Sequence, residues 1–281
     1  GKTRVLTFKI AYLLDYHKMK PWNILALTFT NKAAAEMKER VSRIGGLTDV
    51  RYLNMGTFHS VFSRILRAEA EKLGYNSNFT IYDQSDSRSL IKGIVKEMGL
   101  DDKVYKASTI GDTISMAKNR LITSRQYASD IRFVQADTMR KMPELSNIYI
   151  RYADRCRQAN AMDFDDLLLN TYLLFANHED VRLKYADRFK YVLVDEYQDT
   201  NYAQQTIVLQ LTKEHHNVCV VGDDAQSIYG FRGANIDNIL NFNKFYSDAK
   251  MFKLEQNYRS TQLIVKAANS LISHNQHQIP K

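Results

Sequence analysis

Tyr191-Val192-Leu193-Val194 is a short, wholly apolar run that ends directly in two carboxylates, Asp195-Glu196. This stretch constrains the fold more than any other in the chain. A run that is apolar at every position is what a parallel strand covered on both faces requires. Acidic residues immediately after such a strand lie at the C-terminal edge of the sheet, where open α/β sheets bind ligands. Asn23–Phe29 and Val218–Val221 are similar runs, and Met55–Phe58 and Met251–Leu254 read as further short strands. Helical patterns lie between the first of these. Asn31 is expected to cap a helix running through Ala33–Arg43, with Glu36 and Arg40 paired one turn apart. A second helix is expected from Ser60 to about Leu73. A buried strand running into an ordinary solvated acidic turn is the simpler alternative for Asp195 and Glu196.

The character of the chain changes near Tyr82. From Asp86 to Asn177 one helical pattern follows another with no convincing strand, and Met142-Pro143-Glu144 and Met162-Asp163-Phe164 are helix starts. An α/β layer interrupted in this way suggests a helical domain inserted into a parallel-sheet domain. The expected division is 1–83 and 160–281 for the sheet domain and 84–159 for the insertion. One continuous α/β domain with long helices is the alternative.

Composition narrows the class. The 281 residues are 44% hydrophobic and 25% charged, with only 11 Gly and 3 Pro, which fits a folded chain and not a disordered one. The formal net charge of +8 favours, weakly, a polyanionic partner. No apolar run approaches the length that crosses a bilayer. Gly1-Lys2-Thr3 leads into a mixed segment, so no signal peptide is expected. Cys156 and Cys219 stand outside any metal-ligand pattern, and a reduced, cytoplasmic protein is the simplest account.

Gly1-Lys2-Thr3 matches the last third of a P-loop, G-x-x-x-x-G-K-[ST]. In that chemistry, backbone N–H groups at a helix N-terminus cradle phosphate, Lys2 neutralises phosphate oxygens and the Thr3 hydroxyl ligates Mg²⁺. A bare GKT is a weak signal. It gains force from Asp195 and Glu196, the first suited to hold the metal and the second to polarise an attacking water.

Longer motifs then carry a family resemblance. Val194-Asp195-Glu196-Tyr197-Gln198-Asp199-Thr200-Asn201 resembles the Walker B motif of the UvrD/PcrA/Rep group of superfamily 1 DNA helicases. Leu27-Thr28-Phe29-Thr30-Asn31-Lys32-Ala33-Ala34 resembles their motif Ia, and Gly56-Thr57-Phe58-His59-Ser60 their motif Ib. The run from Val221 to Ala234, through Gly222-Asp223-Asp224-Ala225-Gln226, resembles motif III, and Leu254-Glu255-Gln256-Asn257-Tyr258-Arg259-Ser260-Thr261 resembles motif IV. Tyr197 and Phe231 stand where many relatives have Phe and Trp, so an aromatic ring is kept at both.

The resemblance implies an α/β fold, a P-loop NTPase (RecA-like) parallel sheet with helices on both faces and an inserted all-helical domain. It implies that ATP and Mg²⁺ are the cofactors, with Gly1, Lys2 and Thr3 on the phosphates, Thr3 and Asp195 on the metal, and Gln226 sensing the γ-phosphate. Arg259 is implied as an arginine finger, and Arg4 and Tyr258 as the adenine sandwich. Single-stranded DNA falls to Phe29, Thr30, Asn31, His59, Tyr229, Phe231 and Arg232. Phe58 is expected in the core instead. Asp163-Phe164-Asp165-Asp166-Leu167 is expected to rejoin the inserted domain to the motor as a helix start, not as a metal site. The activity implied is that of an ATP-dependent 3′→5′ DNA helicase and single-strand translocase. It would act on single strands and duplex junctions in repair or replication, in the cytoplasm at the nucleoid, with no membrane partner. A first P-loop glycine before Gly1 and a second motor domain beyond residue 281 are implied as well. The motor of an AddA/RecB-like helicase–nuclease is a rival enzyme. A non-catalytic DNA-binding module is a rival of another class, against which Lys2, Glu196, Gln226 and Arg259 together argue.

Overall fold

The computed structural model describes residues 1–44, 50–230, 233–275 and 278. In chain order, α1 (Lys2–Asp15), β1 (Ile24–Thr28), α2 (Asn31–Arg43), β2 (Asn54–Thr57) and α3 (Phe58–Ala68) come first. β3 (Thr80–Tyr82) leads into α4 (Gln84–Glu97), α5 (Ala107–Asn119), α6 (Ser124–Ser129), α7 (Ile131–Met139) and α8 (Leu145–Gln158). β4 (Ala161–Asp163), α9 (Phe164–Asn177) and α10 (Glu179–Arg188) follow. β5 (Tyr191–Val194), α11 (Tyr202–Thr212), β6 (Val218–Val220), α12 (Asp237–Leu240), α13 (Phe242–Phe245) and α14 (Gln262–Ile272) complete the series.

The chain forms two compact units, one of residues 1–61 with 182–281 and one of residues 62–181. These boundaries are wider than 84–159 and fall inside α3 and α10. In the first unit four parallel strands lie in the order β2-β1-β5-β6. β1 is buried at every residue and β5 at all but Tyr191, as strands in the middle of a covered sheet must be, whereas β6 at the edge is half-buried. Leu6, Ile10, Leu13 and Leu14 recur at helical spacing on α1 and pack with Ile24 and Ala26 of β1, Met37 and Val41 of α2, and Leu193 of β5.

The second unit has its own core, in which Ile91, Ile94 and Val95 of α4 meet Ile110 and Ile114 of α5 and Leu145, Ile148, Tyr149 and Tyr152 of α8. A charged hub lies beside it. Lys118 is 2% exposed, and its ammonium is 2.6 Å from Asp163 and 2.8 Å from Asp166. Tyr152 donates to the same Asp163 oxygen at 2.8 Å. Burial works against the charged Lys118, but Asp163 and Asp166 outweigh it and hold the amine protonated. Burial likewise opposes the charge on Asp163, and Lys118 brings that carboxyl below its usual range. Burial, then the charge of Asp163, pushes Asp166 up to about 6. The 163–167 segment is therefore a helix start tied to an internal ion network. Asp163 and Asp166 also form a reciprocal capping box on α9.

Several expectations are corrected. β4 lies within the stretch expected to hold no strand; it pairs in parallel with β3, Thr80 opposite Ala161. The cap of α2 is Thr30, not Asn31. Thr30 keeps extended backbone (φ −132°), and its hydroxyl accepts the N–H of Ala33 at 3.1 Å. β2 ends at Thr57, so Phe58 begins α3 instead of ending a strand, although it is buried as expected. α3 stops at Ala68, and residues 70–73 form a separate 3-10 turn closed by Gly74 at φ 74°. Met251–Leu254 is not a strand: it pairs with no strand among the described residues, and Phe252 is 83% exposed. The expected pairing of Glu36 with Arg40 is present at 3.5 Å on the surface of α2.

Candidate active site

β5 places Asp195 and Glu196 together. The Asp195 N–H continues the sheet onto Leu27 of β1 (3.0 Å), and its Oδ1 then accepts the Glu196 N–H at 3.0 Å. The chain turns sharply there, with Glu196 in the left-handed region (φ 49°, ψ 47°), and Tyr197 returns to donate to Val221 at 2.9 Å. A non-glycine residue held in that region is strained by about 1–3 kcal/mol, and such strain clusters at functional sites. The Walker B-like turn and the segment after β6 are thus joined through their main chains.

The N-terminus of α1 meets these carboxylates. The Lys2 ammonium lies 2.6 Å from Glu196 Oε2 and 3.3 Å from Gln226 Oε1. The Thr3 hydroxyl donates to Asp195 Oδ2 at 3.2 Å. Gln226 is positioned from the other side, its Nε2 donating to Asp223 Oδ2 at 2.7 Å. Five residues from three distant parts of the sequence, Lys2 and Thr3, Asp195 and Glu196, and Gln226, therefore converge on one corner of the sheet. Gly1 caps α1 and is exposed, with open space where a side chain would stand.

Acidic groups crowd this corner. Burial raises the Asp195 carboxyl above its usual range and Glu196 adds to the effect, against hydrogen bonds from the Glu196 N–H and Thr3 and the charge of Lys2. Asp199 is raised by burial and by Glu196, and its Oδ1 is buried with no hydrogen-bond partner among the described residues. Thr3 and Asp195 offer hard oxygen donors, the chemistry that suits Mg²⁺, an ion that keeps waters and substrate oxygens in its shell. No cluster of three or more His, Cys, Asp or Glu suited to a metal occurs among the described residues. The donor set thus fits an ion bound by two protein groups, not a closed protein cage.

A second group of expected site residues lies along the same edge. β1 and β2 end side by side, Thr28 opposite Thr57. Phe29, Thr30 and Asn31 follow the first, and His59 follows the second. Thr30 and Asn31 are exposed, Phe29 and His59 half-buried, and the Phe29 ring lies 5.9 Å from that of Phe58. Burial lowers the His59 pKa, which favours its neutral form. Tyr229 is 41% exposed in the segment after Gln226. Phe231 and Arg232 lie outside the described residues.

Arg4, Tyr258 and Arg259 are not brought to the carboxylates. Arg4 stacks over Phe8 at 5.4 Å. Tyr258 is 87% exposed, and the Arg259 N–H makes a local bond to Asn257 Oδ1 at 2.9 Å.

The sequence assigned no role to several residues that build this corner. Gln198, 1% exposed, joins Glu196, Asp199 and Asp223. Asn238 ties α12 back to Thr200 through two bonds of 3.0 Å. Gly222 passes so close to Gln198 that a Cβ there would stand 2.7 Å from its Oε1 and 2.5 Å from Ile239 Cδ1. Gln198 and Gly222 sit inside the quoted motifs, which was their only signal. No helix among the described residues is long and apolar enough to cross a membrane.

The family model described as UvrD/REP helicase N-terminal domain matches residues 1–247. Proteins named ATP-dependent DNA helicase PcrA are similar along the whole chain: 47% identity to that of Bacillus subtilis and 46% to that of Leuconostoc citreum, each with 37% of its length covered. The Staphylococcus aureus protein of that name is 46% identical, with 38% covered. The chain thus spans less than two fifths of the length of these relatives. It belongs to the UvrD/REP helicase N-terminal domain family.

Proposed function

We propose that this chain is one wall of an ATP-driven DNA helicase motor, and that the full-length protein is a 3′→5′ helicase and single-strand translocase acting in repair or replication. The observation that carries the proposal is the corner where Lys2 bridges Glu196 and Gln226 while Thr3 meets Asp195. On this account the N–H groups at the start of α1 and the Lys2 ammonium bind the β- and γ-phosphate oxygens of ATP. Thr3 and Asp195 hold Mg²⁺, which when bound neutralises charge on the phosphates. Glu196 orients the attacking water and takes its proton. Gln226 detects the γ-phosphate, and Arg259, from motif IV, adds a planar cation for the transferred group. Arg4 and Tyr258 hold the adenine once motif IV is drawn in.

DNA lies along the other half of the strand-end edge. Phe29 and Tyr229, with Phe231, offer faces for bases, and Thr30, Asn31, His59 and Arg232 hold the backbone. Hydrolysis and strand contact then share one sheet edge, which is the arrangement a translocase needs. The polyanionic substrate agrees with the net charge of +8. The cell's nucleoid is where such a protein would act. Support for a further domain comes from α14, whose Leu263, Ile264 and Leu271 are 83%, 60% and 77% exposed, an apolar face of the kind a partner domain covers.

The test is Glu196→Gln in the full-length protein. ATP binding should stay within about threefold while turnover falls by about 10²–10⁴, the contribution of a positioned general base. Near-normal turnover would remove Glu196 from the chemistry and the proposal with it.

A further inference from the structure

We infer that Gln198 is a positioning residue that ties the water-activating carboxylate of Glu196 to the Gly222–Ser227 segment, so that DNA held beside that segment sets the rate of hydrolysis. The inference rests on the proposed function and adds to it the residue through which the two halves of the edge communicate.

Gln198 has few other roles open to it. It is 1% exposed, and a buried amide must find partners for both its ends. Its Nε2 donates to Glu196 Oε2 at 3.0 Å and to Asp199 Oδ2 at 3.3 Å. Its Oε1 accepts the Asp223 N–H at 3.1 Å, and its main-chain carbonyl accepts the Ser227 hydroxyl at 3.2 Å. One residue is thereby fastened to the catalytic carboxylate at one end and to both ends of the Gln226 segment at the other.

Three features make this link directional. First, Glu196 is in a left-handed conformation, which is costly for a non-glycine residue. Its Oε2 is fixed by Lys2 and Gln198 jointly. Once phosphate draws Lys2 away, the Gln198 amide still holds that carboxylate. Second, the contact with the Gln226 segment is too close to be incidental. A methyl at Gly222 would overlap the Gln198 amide oxygen, so neither the segment nor the amide can move toward the other without displacing it. Third, Asp223 joins both glutamines: its N–H bonds to Gln198 and its carboxylate to Gln226. A shift of the Gly222–Ser227 segment, which runs on to Tyr229, is therefore passed to Gln198, and from Gln198 to Glu196.

The experiment compares Gln198→Met and Gln198→Asn with the parent sequence in the full-length protein. Met keeps the length and loses the hydrogen bonds; Asn keeps the amide and loses the reach. Three quantities are read: the Kd for a fluorescent ATP analogue, the kcat and KM for ATP with saturating single-stranded DNA, and the ratio of DNA-stimulated to unstimulated turnover. A residue that orients a catalytic group from behind typically contributes about 10–100-fold. Both variants should lose about that much kcat, keep Kd and KM within about twofold, and show a stimulation ratio falling toward one. A stimulation ratio equal to that of the parent sequence overturns the inference. So does a parallel loss of ATP binding and melting temperature in both variants, which would make Gln198 a packing residue. If the unsubstituted protein itself shows no DNA-stimulated turnover, the proposed function fails instead, independently of Gln198.

Discussion

Glu196 occupies a backbone conformation that suits glycine better than glutamate, with φ at 49°. If that strain serves the chemistry, relieving it should separate stability from activity. Glu196→Gly is expected to melt no lower than the parent sequence, within about 1 kcal/mol, while abolishing turnover. A large loss of stability would mean that the Lys2–Glu196 pair supports the fold. Lys118 poses the opposite case. Replacing it with Met leaves Asp163 and Asp166 buried without their cation, at a cost of about 3–5 kcal/mol. Without Lys118 the Asp163 carboxyl titrates above its unfolded range, like Asp166. Such a group destabilises the fold at neutral pH and ceases to do so as pH falls through its raised value. The stability gap between Lys118→Met and the parent sequence should therefore narrow from about pH 7 to about pH 5, as read by chemical denaturation at each pH. A gap that widens on acidification would contradict the network. At this scale the sequence showed Lys2, Thr3, Asp195 and Glu196 because adjacent residues spell their chemistry. Gln198 and Lys118 were silent because what defines them is a partner brought close by folding: Asp163 is 45 positions from Lys118.

Among the elements, the strands that carry the site were legible and their margins were not. β1 and β5 are apolar along nearly their whole length, so they were found almost to the residue. β4 has three residues, too few to show any period, and its last residue doubles as the cap of α9. Met251–Leu254 has the composition of a strand but no neighbour to pair with among the described residues, and composition cannot supply one. The cap of α2 was misplaced by one residue because Thr30 and Asn31 are both good caps, and only the backbone decides which is used. That assignment can be tested. Thr30→Ala should destabilise the sheet unit by about 1 kcal/mol in a denaturant titration, and Asn31→Ala should change it by less than half of that. Equal effects would return the cap to Asn31.

For the whole molecule, the α/β sheet interrupted by a helical block was readable from the order of patterns. The breadth of the helical unit was not, because α3 and α10 run across both of its boundaries. On the proposed function, this chain supplies one wall of a two-walled ATP site. The corner formed by Lys2, Thr3, Asp195, Glu196 and Gln226 is proposed to bind nucleotide, but fast phosphoryl transfer would also need domain closure and, beyond Arg259, the arginine finger that the family resemblance implies on the second motor domain; loss of one such finger slows these reactions by about 10³–10⁵. The most direct measurement is phosphate release from ATP by residues 1–281 and by the full-length protein, side by side, with and without single-stranded DNA. The predicted result is turnover by the full-length protein that rises with DNA, and turnover by residues 1–281 lower by about 10³ or more and indifferent to DNA. DNA-stimulated turnover by residues 1–281 at the full-length rate would contradict the two-walled site.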